Sequence, residues 1–231
     1  MIEAEWWDYE TPQELAEAVA GDAQFVIESA LDARGDAVAV FPGGKTPLAA
    51  LELLRKAKLK WRDVTILPSD DRLVAVDSPL SNVRMLAERF LPLGARVVPL
   101  TGGSLDAVAA GRAADARLQD LHWPPDLVWL GVGADGHTAS IFPGPDLDLA
   151  LTAPHRAVGV TPDPMPAEAA VARVTLTKSA ILSARAILIS VTGADKKAML
   201  EQALEEGASS RFPIGRILAD CTQAIDIHWC A

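Results

Sequence analysis

Short apolar runs and longer periodic segments alternate along the chain, and each kind predicts a different structural element. A short apolar run bounded by turn residues is typical of a strand buried on both faces of a sheet. Such runs predict strands at residues 2–8, 37–41, 64–67, 96–100, 127–132, 156–161, 170–177, 185–191 and 224–229. Strands 156–161 and 170–177 are candidates for an antiparallel pair, and the alternating segment 224–229 is the predicted edge strand.

Apolar positions with a period of about 3.6 residues predict helices between these strands. The first helix follows Thr11-Pro12-Gln13-Glu14, which forms a capping box with proline at the first helical position. Further helices are predicted at residues 46–54, 105–121 and 196–206, and one begins near Ser81. Alternating strands and helices indicate a Rossmann-like α/β fold, a mostly parallel open sheet with helices on both faces. We expect a single domain over residues 1–231.

In such a sheet the ligand lies at the carboxyl ends of the strands, so this architecture also predicts where the site is. The loops to consider are residues 42–45, 69–80, 131–145 and 192–197.

Composition and charge exclude several classes of protein. The chain carries 21 Lys and Arg against 31 Asp and Glu, a net charge of −10, and its basic residues are scattered. We therefore expect no nucleic-acid partner. No apolar stretch approaches the roughly 20 residues that span a bilayer, so no membrane association is expected. The N-terminus lacks the basic region of a signal peptide, and Cys221 and Cys230 are expected to be reduced thiols in a cytoplasmic protein.

Gly43, Gly44, Lys45 and Thr46 form the first candidate loop. Two glycines let the backbone approach a ligand, and a helix beginning at Thr46 would direct free amides towards an anion. Lys45 adds a full positive charge. An ordinary strand-to-helix turn is the alternative interpretation.

Residues 131–136 carry Gly-x-Gly-x-x-Gly directly after a predicted strand, the spacing of dinucleotide-binding loops. That fingerprint should open a helix, but Pro143 interrupts any helix here, so a nicotinamide site is disfavoured. The loop instead presents His137, which can accept a proton at neutral pH, with Asp135 close enough to orient it.

The other histidines are His122, His155 and His228, and we expect them to be surface or packing residues. No histidine, cysteine or acidic spacing resembles a metal site.

Two further loops carry charge. Asp70 and Asp71 directly precede Arg72. The three residues either form an ion-paired loop without chemistry, or the carboxylates hold the guanidinium rigid so that it can bind a phosphate. Lys196 follows the Gly193 turn and could reach a phosphate, whereas Lys197 is expected to be an exposed lysine of the first helical turn. Arg173 is ambiguous between a strand charge and a ligand contact.

Taken together, these loops resemble the 6-phosphogluconolactonases, within a superfamily that includes glucosamine-6-phosphate deaminases. The most specific element is residues 131–144, Gly-Val-Gly-Ala-Asp-Gly-His-Thr-Ala-Ser-Ile-Phe-Pro-Gly. Residues 42–47, 70–74 with Ser81-Asn82, 173–177 and 193–196 also fit, so the resemblance covers nearly the whole chain. The chain departs from the pattern at Asp71, Leu73, Ala75 and Lys45, the last in place of a small hydroxyl residue.

The resemblance implies hydrolysis of 6-phospho-D-glucono-1,5-lactone in the oxidative pentose phosphate pathway, with no metal or redox cofactor. It implies His137 as the general base for water and Asp135 as its supporting neighbour. The substrate-binding residues would be Gly43, Gly44, Lys45, Thr46, Arg72, Arg173 and Lys196. We expect a monomer or a weak homodimer.

Two alternatives stay open. An aminosugar-phosphate deaminase of the same superfamily typically continues its histidine loop with Ile-Ala-Phe-Asn-Glu, whereas this loop has no carboxylate before Asp146. A non-catalytic sugar-phosphate sensor would normally carry a DNA-binding segment, and none is visible in the sequence.

Overall fold

A computed structural model describes residues 4–102 and 106–231. Its strands are β1 (Ala4–Tyr9), β2 (Ala37–Phe41), β3 (Val64–Pro68), β4 (Asp70–Arg72), β5 (Arg96–Val97), β6 (Leu127–Gly131), β7 (Ala157–Val160), β8 (Arg173–Leu176), β9 (Ala186–Thr192) and β10 (Ile225–Cys230). Its helices are α1 (Pro12–Arg34), α2 (Leu48–Leu54), α3 (Asn82–Phe90), α4 (Ala107–Gln119), α5 (Leu147–Thr152), α6 (Lys178–Leu182), α7 (Ala194–Glu206) and α8 (Pro213–Leu218).

Seven strands form one parallel sheet in the order β1-β10-β9-β6-β2-β3-β5. Helices α1, α2 and α3 cover one face, around a core that includes Ile27, Phe41 and Trp129. Helices α4, α7 and α8 cover the other face, around Leu118, Leu200 and other apolar side chains. The predicted fold class, a mostly parallel sheet with helices on both faces, is confirmed.

A small second sheet lies beside the first. Strands β4, β8 and β7 pair antiparallel in that order, and α4 packs against β7. The predicted antiparallel pairing of the two segments near residues 157 and 173 is therefore confirmed. Strand β4 was expected to be part of a polar loop, because its three charged residues give no apolar pattern; its pairing with β8 makes it a strand.

Two other predictions were wrong. Segment 224–229 is not an edge strand, since β10 pairs with β9 on one side and with the N-terminal β1 on the other. Its polar His228 is buried there because its Nδ1 lies 3.0 Å from the hydroxyl of Tyr9 in β1. Helix α2 begins at Leu48 rather than Thr46, with Pro47 as a cap that makes no side-chain hydrogen bond.

Other helix predictions agree with the structure. The capping box at Thr11 is present, with Thr11 Oγ1 accepting from the amide of Glu14, and Ser81 caps α3 through the amide of Arg84. Short helices α5, α6 and α8 were not predicted, because each is too short to establish a period. Residues 2, 3 and 105 of predicted elements lie outside the described residues.

No helix in the described part of the chain combines the length and apolar character needed to cross a membrane.

Asp126 anchors the sheet at the end opposite the predicted ligand loops. Its buried carboxylate accepts the amide of Val38 at 2.9 Å and pairs with Arg34 and with Arg185, the latter at 3.3 Å. It thereby joins the starts of β2, β6 and β9 to the end of α1.

Asp126→Ala should lower the free energy of unfolding by about 2 kcal/mol, because it leaves the amide of Val38 without its acceptor. Both arginines are partly exposed and return to water, so their lost ion pairs add little. Equilibrium urea unfolding measures the change. Arg185→Ala is the matched control and should cost less than about 1 kcal/mol; equal losses in the two variants would contradict this role of Asp126.

Candidate active site

A cleft of about 720 Å³ opens where β2, β6 and β9 end, beside the small sheet. His137 lines it, and Asp135 contacts His137 without lining the cleft. All the residues predicted to bind substrate line it as well: Gly43, Gly44, Lys45, Thr46, Arg72, Arg173 and Lys196. Among the described lining residues, the charged side chains are four of these cations and the carboxylates Asp70 and Glu168. The cleft is thus more cationic than the acidic chain as a whole.

His137 is held at its Nδ1 side by Asp135. Its Nδ1 lies 2.5 Å from Oδ1 of Asp135, and the same oxygen accepts the backbone amide of His137 at 3.1 Å. Burial alone would raise the pKa of the Asp135 carboxyl, but the hydrogen bond and the charge of His137 outweigh it and hold that pKa below its ordinary value. The carboxylate is therefore ionised at neutral pH and can orient the imidazole.

The absence of a side chain at Gly133 gives the imidazole its place. A Cβ atom on Gly133 would lie 2.1 Å from Cε1 and 2.2 Å from Nδ1 of His137. The loop is closed by two hydrogen bonds, from the amide of Gly133 to the carbonyl of His137 and from the amide of Gly136 to the carbonyl of Gly133. The second and third glycines of the Gly-x-Gly-x-x-Gly pattern, Gly133 and Gly136, therefore serve the histidine and its turn.

Arg72 and Arg173 are direct neighbours across the antiparallel pair of β4 and β8. Like charges placed opposite each other destabilise a sheet, so the pair needs another reason to be there. The Nε atom of each is buried and has no hydrogen-bond partner among the described residues. Burial lowers the pKa of the Arg173 guanidinium, as does the charge of Arg72, while Asp70 opposes the shift. Two adjacent guanidinium groups that line a cleft form an anion-binding arrangement.

Asp71 does not hold the guanidinium of Arg72, contrary to one sequence-based interpretation. Its buried carboxylate accepts the amides of Asn82 at 2.7 Å, Val83 at 3.2 Å and Arg72 at 2.9 Å. It satisfies the free amides of the first turn of α3. Burial raises the pKa of Asp71, and these amides oppose that shift. The Arg72 guanidinium instead donates to Oδ1 of Asn82 and, at 3.2 Å, to the carbonyl of Leu80.

Asn82 also explains one glycine of the first candidate loop. A Cβ atom on Gly43 would lie within 2.4 Å of the Asn82 side-chain amide, so only glycine lets this loop approach α3. Asn82 itself donates to the carbonyl of Asp70 at 2.8 Å. Because α2 begins only at Leu48, Lys45 and Thr46 lie in an exposed turn before the helix.

The two neighbouring lysines of α7 have different surroundings, and Lys197 is not the exposed lysine that was predicted, since its side chain is only 21% exposed. Lys196 lines the cleft, and its Nζ donates to the carbonyl of Val132 at 2.8 Å, next to the histidine loop. Lys197 pairs with Asp8 at 2.8 Å and lies over the ring of Trp229, and it is not among the residues lining the cleft.

Sequence reasoning missed the residues that join the histidine loop to the small sheet. Ser140 donates its hydroxyl to Asp70 at 2.5 Å, and its amide donates to the hydroxyl of Thr175 in β8 at 3.1 Å. The preceding Ala139 has a left-handed backbone with φ of +50°, the kind of strain that clusters at functional sites. The adjacent Asp-Asp-Arg motif offered a signal for Asp70, but nothing in the sequence indicated its distant partner.

The remaining histidines are surface or packing residues, as predicted. His122 and His155 are exposed and pair with Asp36 and Asp115, and the pKa of His228 is lowered by its burial. Within residues 4–102 and 106–231, no group of three or more His, Cys, Asp or Glu side chains is arranged to hold a metal ion. Neither Cys221 nor Cys230 forms a disulfide in this part of the chain.

The parallel sheet defines a Rossmann-like α/β protein, and the cation-rich cleft lies at the carboxyl edge of the sheet, where proteins of this class bind their ligands. Residues 10–229 match the family described as "Glucosamine-6-phosphate isomerases/6-phosphogluconolactonase", and the chain belongs to this family.

Relatives agree with this assignment. A 6-phosphogluconolactonase from Rhizobium meliloti (strain 1021) is 38% identical over 226 residues, 96% of each chain. One from Pseudomonas putida is 36% identical, over 94% of this chain and 88% of the other. The crystal structure of a 6-phosphogluconolactonase from Shewanella baltica OS155 superposes with a TM-score of 0.92 at 34% identity, covering 99% of this chain and 98% of that one.

Gly133→Ala should reduce kcat by about 100-fold for the reaction of this cleft, because the added methyl group must displace the imidazole and misplaced catalytic groups lose about that much rate. Gly131→Ala is the matched control: its Cβ would lie 3.9 Å from the nearest atom, an ordinary contact. Steady-state kinetics and thermal unfolding of both variants are the measurements. Similar rates in the two variants would show that the Gly133 contact does not position His137.

Proposed function

We propose that this chain hydrolyses 6-phospho-D-glucono-1,5-lactone to 6-phospho-D-gluconate. The observation that carries the proposal is one cleft lined by a carboxylate-bound imidazole and two cross-strand arginines. An imidazole can activate water, and the arginines can bind a phosphate group. The names of the relatives in the family support the same substrate.

In the proposed reaction His137 is the general base. Asp135 accepts a hydrogen bond from Nδ1–H, which leaves Nε2 free to take a proton from water. The water oxygen bonds to the lactone carbonyl carbon, and the backbone amides around Gly43 and Gly44 stabilise the oxyanion that develops. The bond from that carbon to the ring oxygen then breaks, and the imidazolium returns its proton to the ring oxygen.

The phosphate group provides binding energy that positions the lactone. Arg72 and Arg173 would bind it through their guanidinium groups, with Lys196, Lys45 and Thr46 nearby on the cleft wall. Anchoring a remote dianion lets binding energy hold the carbonyl in place for attack. Because the anchor is local, the net charge of −10 does not prevent an anionic substrate from binding.

We also make predictions about the cofactor requirement, the cellular location and the oligomeric state. The proposed reaction uses only water and the protein's own side chains and backbone amides, so we expect no metal or redox cofactor. We place the reaction in the cytoplasm, since the family substrate is an intermediate of the pentose phosphate pathway, and expect a monomer or a weak homodimer.

Freshly prepared lactone should be hydrolysed by the wild-type protein well above the spontaneous rate, and His137→Ala should lose this by at least about 100-fold, since general-base catalysis contributes about that much. Initial rates of 6-phosphogluconate formation, with and without protein, are the measurement.

The outcomes separate the alternatives. A wild-type rate equal to the spontaneous rate would overturn the lactonase proposal, and release of ammonia from glucosamine 6-phosphate would favour the aminosugar deaminase. Binding of sugar phosphates without turnover would favour a sensor. Full activity in His137→Ala would overturn the role of that residue alone.

Arg72→Ala should raise KM for the phosphorylated lactone by about 10- to 100-fold, the range expected for losing a charge-assisted hydrogen bond. KM for unphosphorylated gluconolactone should change little, because that substrate has no group for the arginine. Arg55→Ala, on the surface of the molecule and paired with Glu52, is the matched control. Equal effects of Arg72→Ala on the two substrates would contradict the phosphate role.

A further inference from the structure

Phe142 contacts both the histidine and one of the arginines. The rings of His137 and Phe142 are stacked, with centroids 4.2 Å apart and planes 29° apart. The guanidinium carbon of Arg173 lies 5.3 Å from the centroid of the same Phe142 ring. Phe142 is only partly buried and lies outside both apolar core clusters. Core packing therefore does not account for its position.

The hydrogen bond to Asp135 restrains the imidazole at one atom only. Small changes in χ1 and χ2 can still tilt the ring within the tolerance of that hydrogen bond, and the direction of Nε2 changes with the tilt. The backbone of Gly133 lies against the edge of the ring at Cε1 and Nδ1. The stacked ring of Phe142 covers a face of the imidazole and restricts this rotation, because aromatic rings resist tilting and sliding once packed.

Phe142 is itself fixed by the turn before it. The amide of Ile141 donates to the carbonyl of Thr138 at 2.9 Å, and Ser140 is tied to Asp70 and Thr175. The aromatic ring is therefore carried by backbone that is anchored to the small sheet. The imidazole, by contrast, belongs to a partly exposed side chain on a loop.

We infer that Phe142 is a positioning residue, which fixes the plane of the His137 imidazole and ties it to the arginine that binds the anion. This inference rests on the proposed function for its kinetic readout, although the ring geometry stands without it. Arg173 is buried in β8 and also donates to the carbonyl of Ala169 at 3.1 Å, so it keeps its place without Phe142. Among the described residues, the only aromatic ring stacked on His137 is that of Phe142. Loss of the ring should consequently affect turnover more than binding.

Phe142→Leu keeps an apolar side chain and removes the ring. We expect kcat for the phosphorylated lactone to fall about 10- to 100-fold, as for a misplaced catalytic group, while KM changes by less than about threefold. Phe142→Tyr retains the ring and should recover at least about half of the wild-type kcat. Phe142→Met serves as a second variant without a ring if the leucine variant does not fold.

Phe90→Leu is the matched control, because Phe90 is a buried phenylalanine that packs with Phe41 and Trp61 in the core on the other face of the sheet. It should lower the unfolding temperature and leave kcat within about twofold. A kcat within twofold of wild type in Phe142→Leu and Phe142→Met would overturn the inference. So would equal losses in the leucine and tyrosine variants, or a loss in Phe90→Leu as large as that in Phe142→Leu.

A second readout does not depend on turnover. Long-range ¹H–¹⁵N NMR correlations of the His137 imidazole should show one sharp set of ring signals in the wild-type protein and in Phe142→Tyr, and exchange-broadened or multiple sets in Phe142→Leu, while Asp135 keeps the proton on Nδ1 in all three. If the wild-type protein failed to hydrolyse the lactone, this spectrum would still test Phe142. A single set of ring signals in Phe142→Leu, as sharp as in the wild-type protein, would overturn the positioning role, whatever the substrate.

Discussion

The antiparallel pairing of β4 with β8 is the constraint on which the cleft depends. It places Arg72 opposite Arg173 and, two residues earlier in β4, Asp70 opposite Thr175. Asp70 and Thr175 then hold the two polar groups of Ser140, so the same short pairing fixes both the cationic wall and the loop of His137. Three residues of β4 therefore connect anion binding to the candidate base.

That pairing also concentrates positive charge where the chain as a whole is acidic. Two guanidinium groups opposite each other, one of them buried, are unfavourable without a counter-charge, and burial lowers the pKa of Arg173. Asp70 offsets part of this repulsion, and a bound phosphate would offset more. Repulsion between the two arginines lowers the stability of the protein without its ligand, and a bound anion would relieve that repulsion.

The histidine loop likewise contains backbone strain that serves to place its side chains. Ala139 adopts a left-handed backbone, and Gly133 leaves space that the imidazole fills. Hydrogen bonds from Ser140 hold the strained turn, and the ring of Phe142 lies between His137 and Arg173. The cationic wall and the candidate base thus share one packed unit, in which a change at one member is expected to reach the others.

Periodicity and local motifs determined the parallel α/β fold, the carboxyl edge as the site and the residues that line the cleft, because each depends on short-range spacing. The edge assignment of β10, the strand at Asp70–Arg72 and the start of α2 were not predictable in this way. The role of Asp71 as a cap for α3 and the contacts of Ser140 and Phe142 were also decided only by the tertiary structure. The Ser140–Asp70 contact joins residues 70 apart, and the β1–β10 pairing joins segments about 220 apart, so no local pattern encodes them. The Asp71 cap and the Phe142 stack join residues that are closer in sequence, but their geometry depends on how the fold places the loops.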